Sequence, residues 1–228
     1  ENDNKLYIPR FYVIEKYGLP EKTELDEGEN IDVGFTKELR DYQHNIVNVY
    51  MKHVESGSGG GILEVPCGRG KTVIALYIIS LLKKKTLILV HKEFLMNQWI
   101  ERIQEFVPGA KVGKIQAQIC DIEDKDIVIG MIQTMYTKTY EQTVYSQFGL
   151  TVIDEVHRIG SEEFSKTLLK TITPCMLGIS ATVERKDKLT RLLYMFIGPK
   201  IYCETRSNDD TVCVRAFEYV TNDDDFNT

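Results

Sequence analysis

The chain lacks the features that would tie it to a membrane, a disulfide framework or a structural zinc. Its best apolar run, Val73 to Leu82, is about half of the roughly 20 residues a helix needs to cross a bilayer. No secretory pattern opens the chain, and a start at Glu1 rather than methionine reads as a piece of a longer polypeptide. The cysteines (Cys67, Cys120, Cys175, Cys203 and Cys213) are scattered and form no CxxC pair. That removes the usual zinc spacing and fits a reducing intracellular compartment. Basic excess is missing too. Lys and Arg total 28 against 34 Asp and Glu, a net charge of −6, so bulk charge attracts no polyanion and a nucleic-acid partner must be argued from motifs. No internal repeat is present, and no Asn-Lys-x-Asp guanine reader occurs.

What remains is ordinary for a folded protein. The 228 residues, 43% hydrophobic and 27% charged, suffice for one well-buried domain and a tail. Residues 1–34 are mixed: Leu6 to Ile8 and Phe11 to Ile14 read as short extended pieces, and 18–30 as a loop. Apolar positions from Glu38 to Val54 recur at helical spacing, and Ser56 to Gly61 reads as a flexible Gly/Ser connector. Then strands alternate with helices. Strands are expected at 62–65, 86–90, 127–129, 150–153 and 176–179. Helices are expected at 71–82, 93–106, 162–172 (with Ser161 as cap) and 187–196. Such alternation predicts an α/β domain, a mostly parallel sheet with helices on both faces. A last strand-like stretch, Val212 to Phe217, lies between acidic turns.

Three short strings follow strands in this order. Pro66-Cys67-Gly68-Arg69-Gly70-Lys71-Thr72 joins a strand to a helix. Gly68 and Gly70 let backbone N–H groups approach an anion, and the helix start adds its own N–H groups and partial positive charge. Lys71 is placed to reach the β/γ-phosphates, and the Thr72 hydroxyl to ligate Mg²⁺. The strict phosphate-loop pattern asks for glycine at position 65, where this chain has Val65, which disfavours a kinase or GTPase default. Asp154-Glu155-Val156-His157 ends an apolar strand, where ligands of open α/β sheets bind. Asp154 suits magnesium, directly or through water, and Glu155 suits orienting and deprotonating the attacking water. Ser180-Ala181-Thr182 follows another buried strand, and its hydroxyls are placed to bond the acidic string and sense the γ-phosphate. Either of the last two strings alone would read as a solvated strand end or a cap.

The order Gly-Arg-Gly-Lys-Thr, Asp-Glu-Val-His, Ser-Ala-Thr resembles the first RecA-like lobe of superfamily 2 helicases and translocases. Leu39-Arg40-Asp41-Tyr42-Gln43 is similar to the adenine-sensing segment of that family, Val90 to Trp99 to its motif Ia, and Ile129 to Thr134 to its motif Ib. Arg185-Lys186-Asp187 and Ile197-Gly198-Pro199 narrow the likeness to the xeroderma pigmentosum group B type and its relatives in large DNA viruses and phages. The resemblance covers about residues 35–205. It implies a RecA-like P-loop fold, Mg²⁺ and ATP as cofactors, and Gln43 (with Arg40 in its segment) as the adenine reader. Lys92, Gln133 and Thr134 are implied to face a nucleic-acid backbone, and His157, Ser180 and Thr182 to couple the two sites. Trp99 is expected to pack in the core rather than stack on bases.

The expected organisation is an N-terminal extension (1–34), a RecA-like ATP-binding lobe (35–205), and a linker or first strand of a further lobe (206–228). About 45 residues after Thr182 cannot supply the second lobe, with its arginine fingers, that such a motor needs. The expectation is therefore half of an ATP-dependent DNA helicase or translocase, a monomer in isolation with weak or no turnover, working in a nucleus or at a viral replication site. The competing readings are the motor lobe of a restriction or remodelling translocase, and a non-catalytic nucleotide-binding scaffold. A pure scaffold would need none of Lys71, Asp154 and Glu155.

Overall fold

The computed structural model describes residues 8–156, 161–183 and 190–204. The expected alternation is present. Helix α1 (Arg10–Tyr17) is followed by α2 (Asp41–Glu55), β1 (Gly60–Glu64), α3 (Lys71–Leu82), β2 (Thr86–Val90) and α4 (Glu93–Phe106). Next come β3 (Val112–Gln116), β4 (Ile119–Asp121), β5 (Ile127–Met131), α5 (Ile132–Thr137), α6 (Gln142–Ser146) and β6 (Leu150–Asp154). Helix α7 (Ser161–Lys170), β7 (Cys175–Ser180), α8 (Thr190–Ile197) and β8 (Lys200–Cys203) complete the described fold.

The strands form one sheet in the order β4-β3-β5-β2-β6-β7-β1-β8, antiparallel only between β3 and β4. Successive side chains on a strand point to opposite faces, and the two cores follow that parity. Leu150 and Val152 of β6, Ile88 and Val90 of β2, and Leu63 of β1 pack with Ile46, Tyr50, Ile74, Ile78, Trp99 and Ile103 from α2, α3 and α4. Ile153, Leu87, Leu89 and Ile62 pack on the other face with Phe11, Met135, Tyr145, Leu168 and Phe196 from α1, α5, α6, α7 and α8. This is the RecA-like P-loop architecture.

The amino-terminal segment departs from expectation. Phe11 to Ile14 lie in α1, not in an extended piece. The Arg10 guanidinium bonds the carbonyl oxygens of Thr173 (3.0 Å), Pro174 (2.9 Å) and Ser58 (3.3 Å). Ile31 and Val33 are buried in the first core. Buried Lys85 donates to Glu29 Oε2 at 2.8 Å and is bonded to Gln147 as well. Both ends of this segment thus pack on the body of the lobe, while residues 15–24 between them are exposed. The Gly/Ser connector is also shorter than expected: Gly60 and Gly61 open β1. The Phe11 ring packs where a Gly60 Cβ would stand, so the start of β1 requires glycine there.

Strands β3, β4 and β8 were not legible as strands. In β3 the buried positions are Gly113 and Ile115, so hydrophobic alternation is nearly invisible. Gly113 lies tight against the Asp121 carbonyl across the antiparallel pair. The expected tail strand at 212–217, His157, Cys213 and Arg185-Lys186-Asp187 lie outside the described residues.

Candidate functional site

The three strings meet because of strand order. β6, β7 and β1 are neighbours, all parallel, so their C-terminal ends emerge side by side. Asp154 is level with Ile179, and Glu64 with Ser180. Past the strands, the Val65 N–H donates to the Ser180 carbonyl (2.8 Å) and the Glu155 N–H to the Ile179 carbonyl (3.0 Å). Val65 and Ser180, more than a hundred positions apart, are thereby held by one hydrogen bond.

The loop between β1 and α3 has the backbone an anion cradle needs. Gly68 (φ 82°) and Gly70 (φ 78°) are left-handed, and Gly70 is the N-cap of α3. A Cβ on Gly68 would meet nothing within 4 Å, so that part of the loop faces open space. A Cβ on Gly70 would stand 2.5 Å from Gln43 Nε2. Pro66 is half-buried and Cys67 exposed, with Cys67 Sγ 3.9 Å from Lys71 Nζ. Lys71 and Thr72 occupy the first turn of α3, both half-buried. Lys71 Nζ lies 3.0 Å from Glu155 Oε1.

Asp154 shares the parity of Leu150 and Val152, so it faces the α3–α4 side, the side of the loop. It is buried, and its Oδ2 accepts the indole N–H of Trp99 at 2.9 Å. Burial raises its carboxyl above the ordinary carboxylate range, the Trp99 hydrogen bond pulls the other way, and the neighbouring charges of Glu155 and Lys71 respectively add and subtract. Glu155 follows with φ 51°. A non-glycine residue in that region carries strain, of a kind that gathers at functional sites.

Gln43 is buried rather than on the exposed face of its helix. Its Oε1 accepts the Arg40 N–H (2.9 Å) and its Nε2 donates to the Arg69 carbonyl (3.1 Å), tying the start of α2 to the glycine loop. Tyr42 adds to the tie: its hydroxyl bonds Arg69 O at 3.3 Å, and the Arg69 guanidinium stacks 3.7 Å over its ring. Arg40 is exposed and reaches the Tyr42 hydroxyl at 3.3 Å. Arg69 also pairs with Glu204 beyond β8, which holds the guanidinium more firmly protonated. Sequence reasoning missed Glu204 because nothing in a short edge strand marks its end as a site.

Ser180 is fully buried, and its hydroxyl donates to the Thr182 carbonyl at 2.7 Å, a bond inside its own string. Lys92, at the N-cap of α4, and Gln133, in the first turn of α5, are exposed beyond the C-terminal ends of β2 and β5. Thr134 is different: it is buried and its hydroxyl accepts the Ala117 N–H at 3.0 Å. Trp99 packs in the core as expected. A cavity of about 580 Å³ lined by Phe11, Ile14, His53 and Tyr194 sits at the opposite, N-terminal end of β1 and holds none of these residues.

The fold, with these three strings at adjacent strand ends, defines a helicase/translocase ATPase lobe of superfamily 2. Within that class the chain belongs to the family described as type III restriction enzyme, res subunit, which matches residues 36–185. It is 35% identical over 223 residues to a putative ATP-dependent RNA helicase, L396, of Acanthamoeba polyphaga mimivirus, covering 97% of this chain and 43% of the relative. It is 33% identical over 197 residues to the DNA 3'-5' translocase XPB2 of Sulfurisphaera tokodaii, covering 83% of this chain and 42% of that one. The chain thus spans less than half the length of these relatives. Among solved structures, the UvsW helicase of bacteriophage T4 superposes with a TM-score of 0.60 at 19% identity, over 84% of this chain and 75% of that one. That likeness shows the fold.

Proposed function

We propose that this lobe binds Mg²⁺–ATP on the loop Pro66–Thr72 and forms one wall of the catalytic cleft of a DNA translocase, the other wall coming from a second RecA-like lobe. The observation that carries the reading is the Lys71–Glu155–Asp154 grouping beside a glycine loop open to solvent at Gly68. The donor set fits magnesium: a hydroxyl at Thr72 and a carboxylate at Asp154 are hard oxygen ligands. Among the described residues, no three His, Cys, Asp or Glu side chains gather to hold a metal by themselves. Magnesium at this place would therefore take most ligands from phosphate and water, its ordinary habit.

In this reading the N–H groups of the loop and of the first turn of α3 receive the phosphates. Lys71 exchanges Glu155 for the β/γ-phosphate oxygens. Glu155, released, accepts a proton from the attacking water. Magnesium, when bound, neutralises charge on the phosphates. Gln43 has a second amide proton and a second lone pair for adenine, which favours ATP over GTP. Ser180, Thr182 and His157 relay the state of the site. Lys92 and Gln133 meet a nucleic-acid backbone, and Thr134 supports that surface from below through Ala117.

DNA is favoured over RNA because the archaeal relative is named a DNA translocase and the resemblance runs to the xeroderma pigmentosum group B type. The mimivirus relative, named an RNA helicase, is the rival. ATPase assays of the full-length protein with duplex DNA, single-stranded DNA and RNA decide. Stimulation by DNA at constant salt supports the reading, stimulation by RNA alone replaces it, and no ATP binding at all refutes it. The lobe by itself is expected to bind ATP weakly and turn it over slowly or not at all.

A further inference from the structure

Trp99 is the single tryptophan of the chain and almost fully buried. Filling the space between α4 and the sheet does not call for an indole, since Leu95, Met96 and Ile103 fill the same face without polar atoms. An indole brings one N–H that must find an acceptor when buried. Here the acceptor is the Asp154 carboxylate, Nε1 to Oδ2 at 2.9 Å, across 55 positions of sequence.

The pairing is geometrically one-sided. Asp154 arrives on the last residue of β6, with its parity toward α3 and α4. Trp99 lies in the middle of α4, whose core face is locked by Met96 and Ile103. A rigid donor on a packed helix fixes which way the carboxylate plane lies, a freedom that a carboxylate at a strand end otherwise keeps. Holding a ligand's orientation by an outer hydrogen bond is a general way to tune metal binding.

From this we infer that Trp99 is a positioning residue for the Mg²⁺–nucleotide complex, acting through its N–H on the orientation of Asp154. The inference rests on Asp154 being the magnesium-holding carboxylate. Trp99 touches neither nucleotide nor metal, and its effect falls on the magnesium-dependent part of nucleotide binding alone.

The test is equilibrium binding of a fluorescent ATP analogue to the full-length protein, with magnesium titrated and with EDTA. Two variants are compared with wild type: Trp99→Phe, and replacement of Trp99 by 3-benzothienylalanine, which swaps the N–H for sulfur and keeps the ring shape. In both variants, magnesium-free affinity should stay within about twofold, while the magnesium concentration for half-maximal enhancement rises about tenfold. If both variants show the wild-type magnesium requirement, the inference is overturned. If Trp99→Phe loses affinity equally with and without magnesium while the sulfur analogue behaves as wild type, Trp99 is only packing and the inference is again overturned. If wild type shows no magnesium enhancement, the reading of Asp154 fails, and the inference with it.

Discussion

Lys71 Nζ stands 3.0 Å from Glu155 Oε1, so the residue assigned to the phosphates and the residue assigned to water are each other's partners. Both side chains are mostly buried, at 13% and 20% exposure, so neither charge is spared by solvent alone. Removing one partner should therefore act differently from removing the other. Lys71→Ala deletes a charge-assisted contact and should weaken ATP binding by at least about tenfold. Glu155→Gln removes a competitor for Lys71, so affinity should hold or tighten. Turnover of the full-length protein should fall by about 10²–10⁴, the range for a lost general base. Isothermal titration and steady-state ATPase assays read both; normal turnover in Glu155→Gln would sink the base assignment.

Gly70 and Gly68 are both left-handed but differ in surroundings. Gly70→Ala meets backbone strain of about 1–2 kcal/mol together with a close approach to Gln43 Nε2. It should shift the loop, weaken ATP binding about tenfold or more, and lower the Tm by a few degrees. Gly68→Ala carries the strain without the collision and should cost about 1 kcal/mol of stability. Equal stability loss in the two would show that the Gln43 contact does not shape the loop.

Arg10 bonds three backbone carbonyls at the N-terminal end of the sheet. Arg10→Met keeps most of the stem and deletes those bonds. The expected loss is about 2 kcal/mol, or about 4–8 °C in Tm for a domain of this size. Protease cleavage after residue 17 should speed up as α1 undocks. Unchanged melting would mean that α1 contributes nothing to the lobe's stability.

Asp154 has a native pKa raised chiefly by burial. The folded state therefore binds the proton more readily than the unfolded one. Stability falls as pH rises from the ordinary carboxylate range through the raised value, and the penalty is complete above it. Asp154→Asn removes the penalty and keeps an oxygen for Trp99. Its Tm should exceed wild type at pH 7 in magnesium-free buffer, and the gap should narrow toward pH 4. A lower Tm at pH 7 would contradict the burial argument. Magnesium-dependent ATP binding should be lost in the same variant.

Much of the site was legible because its chemistry is local. Gly68, Gly70, Lys71 and Thr72 sit within five positions, and the turn, helix start and cation they supply need no distant partner. Asp154 and Ser180 were legible because each ends a nearly continuous apolar run, broken only by Thr151 in one and Gly178 in the other. Gln43 was harder. Its helix pattern says which positions are apolar, but its burial depends on Arg69 lying where it can accept the amide. Thr134 looked outward by resemblance, yet Ala117, on a turn between two weak strands, takes its hydroxyl. The helix α1 was hidden because Pro9 and a short mixed segment carry almost no periodicity of their own; Arg10 and Phe11 are organised by the carbonyls and glycines they meet.

By itself the sequence determined the alternation of strands and helices, the glycine loop at a helix start and the strand-end carboxylates, since those follow from residues a few positions apart. The order β6-β7-β1, the Lys71–Glu155 pair and the Trp99–Asp154 hydrogen bond were decided only by the tertiary structure. Hydrophobic runs say that a strand is buried but not beside which strand. Parity says which side of its strand a side chain takes but not which helix waits there, and both are settled only when the sheet closes and its two faces are covered.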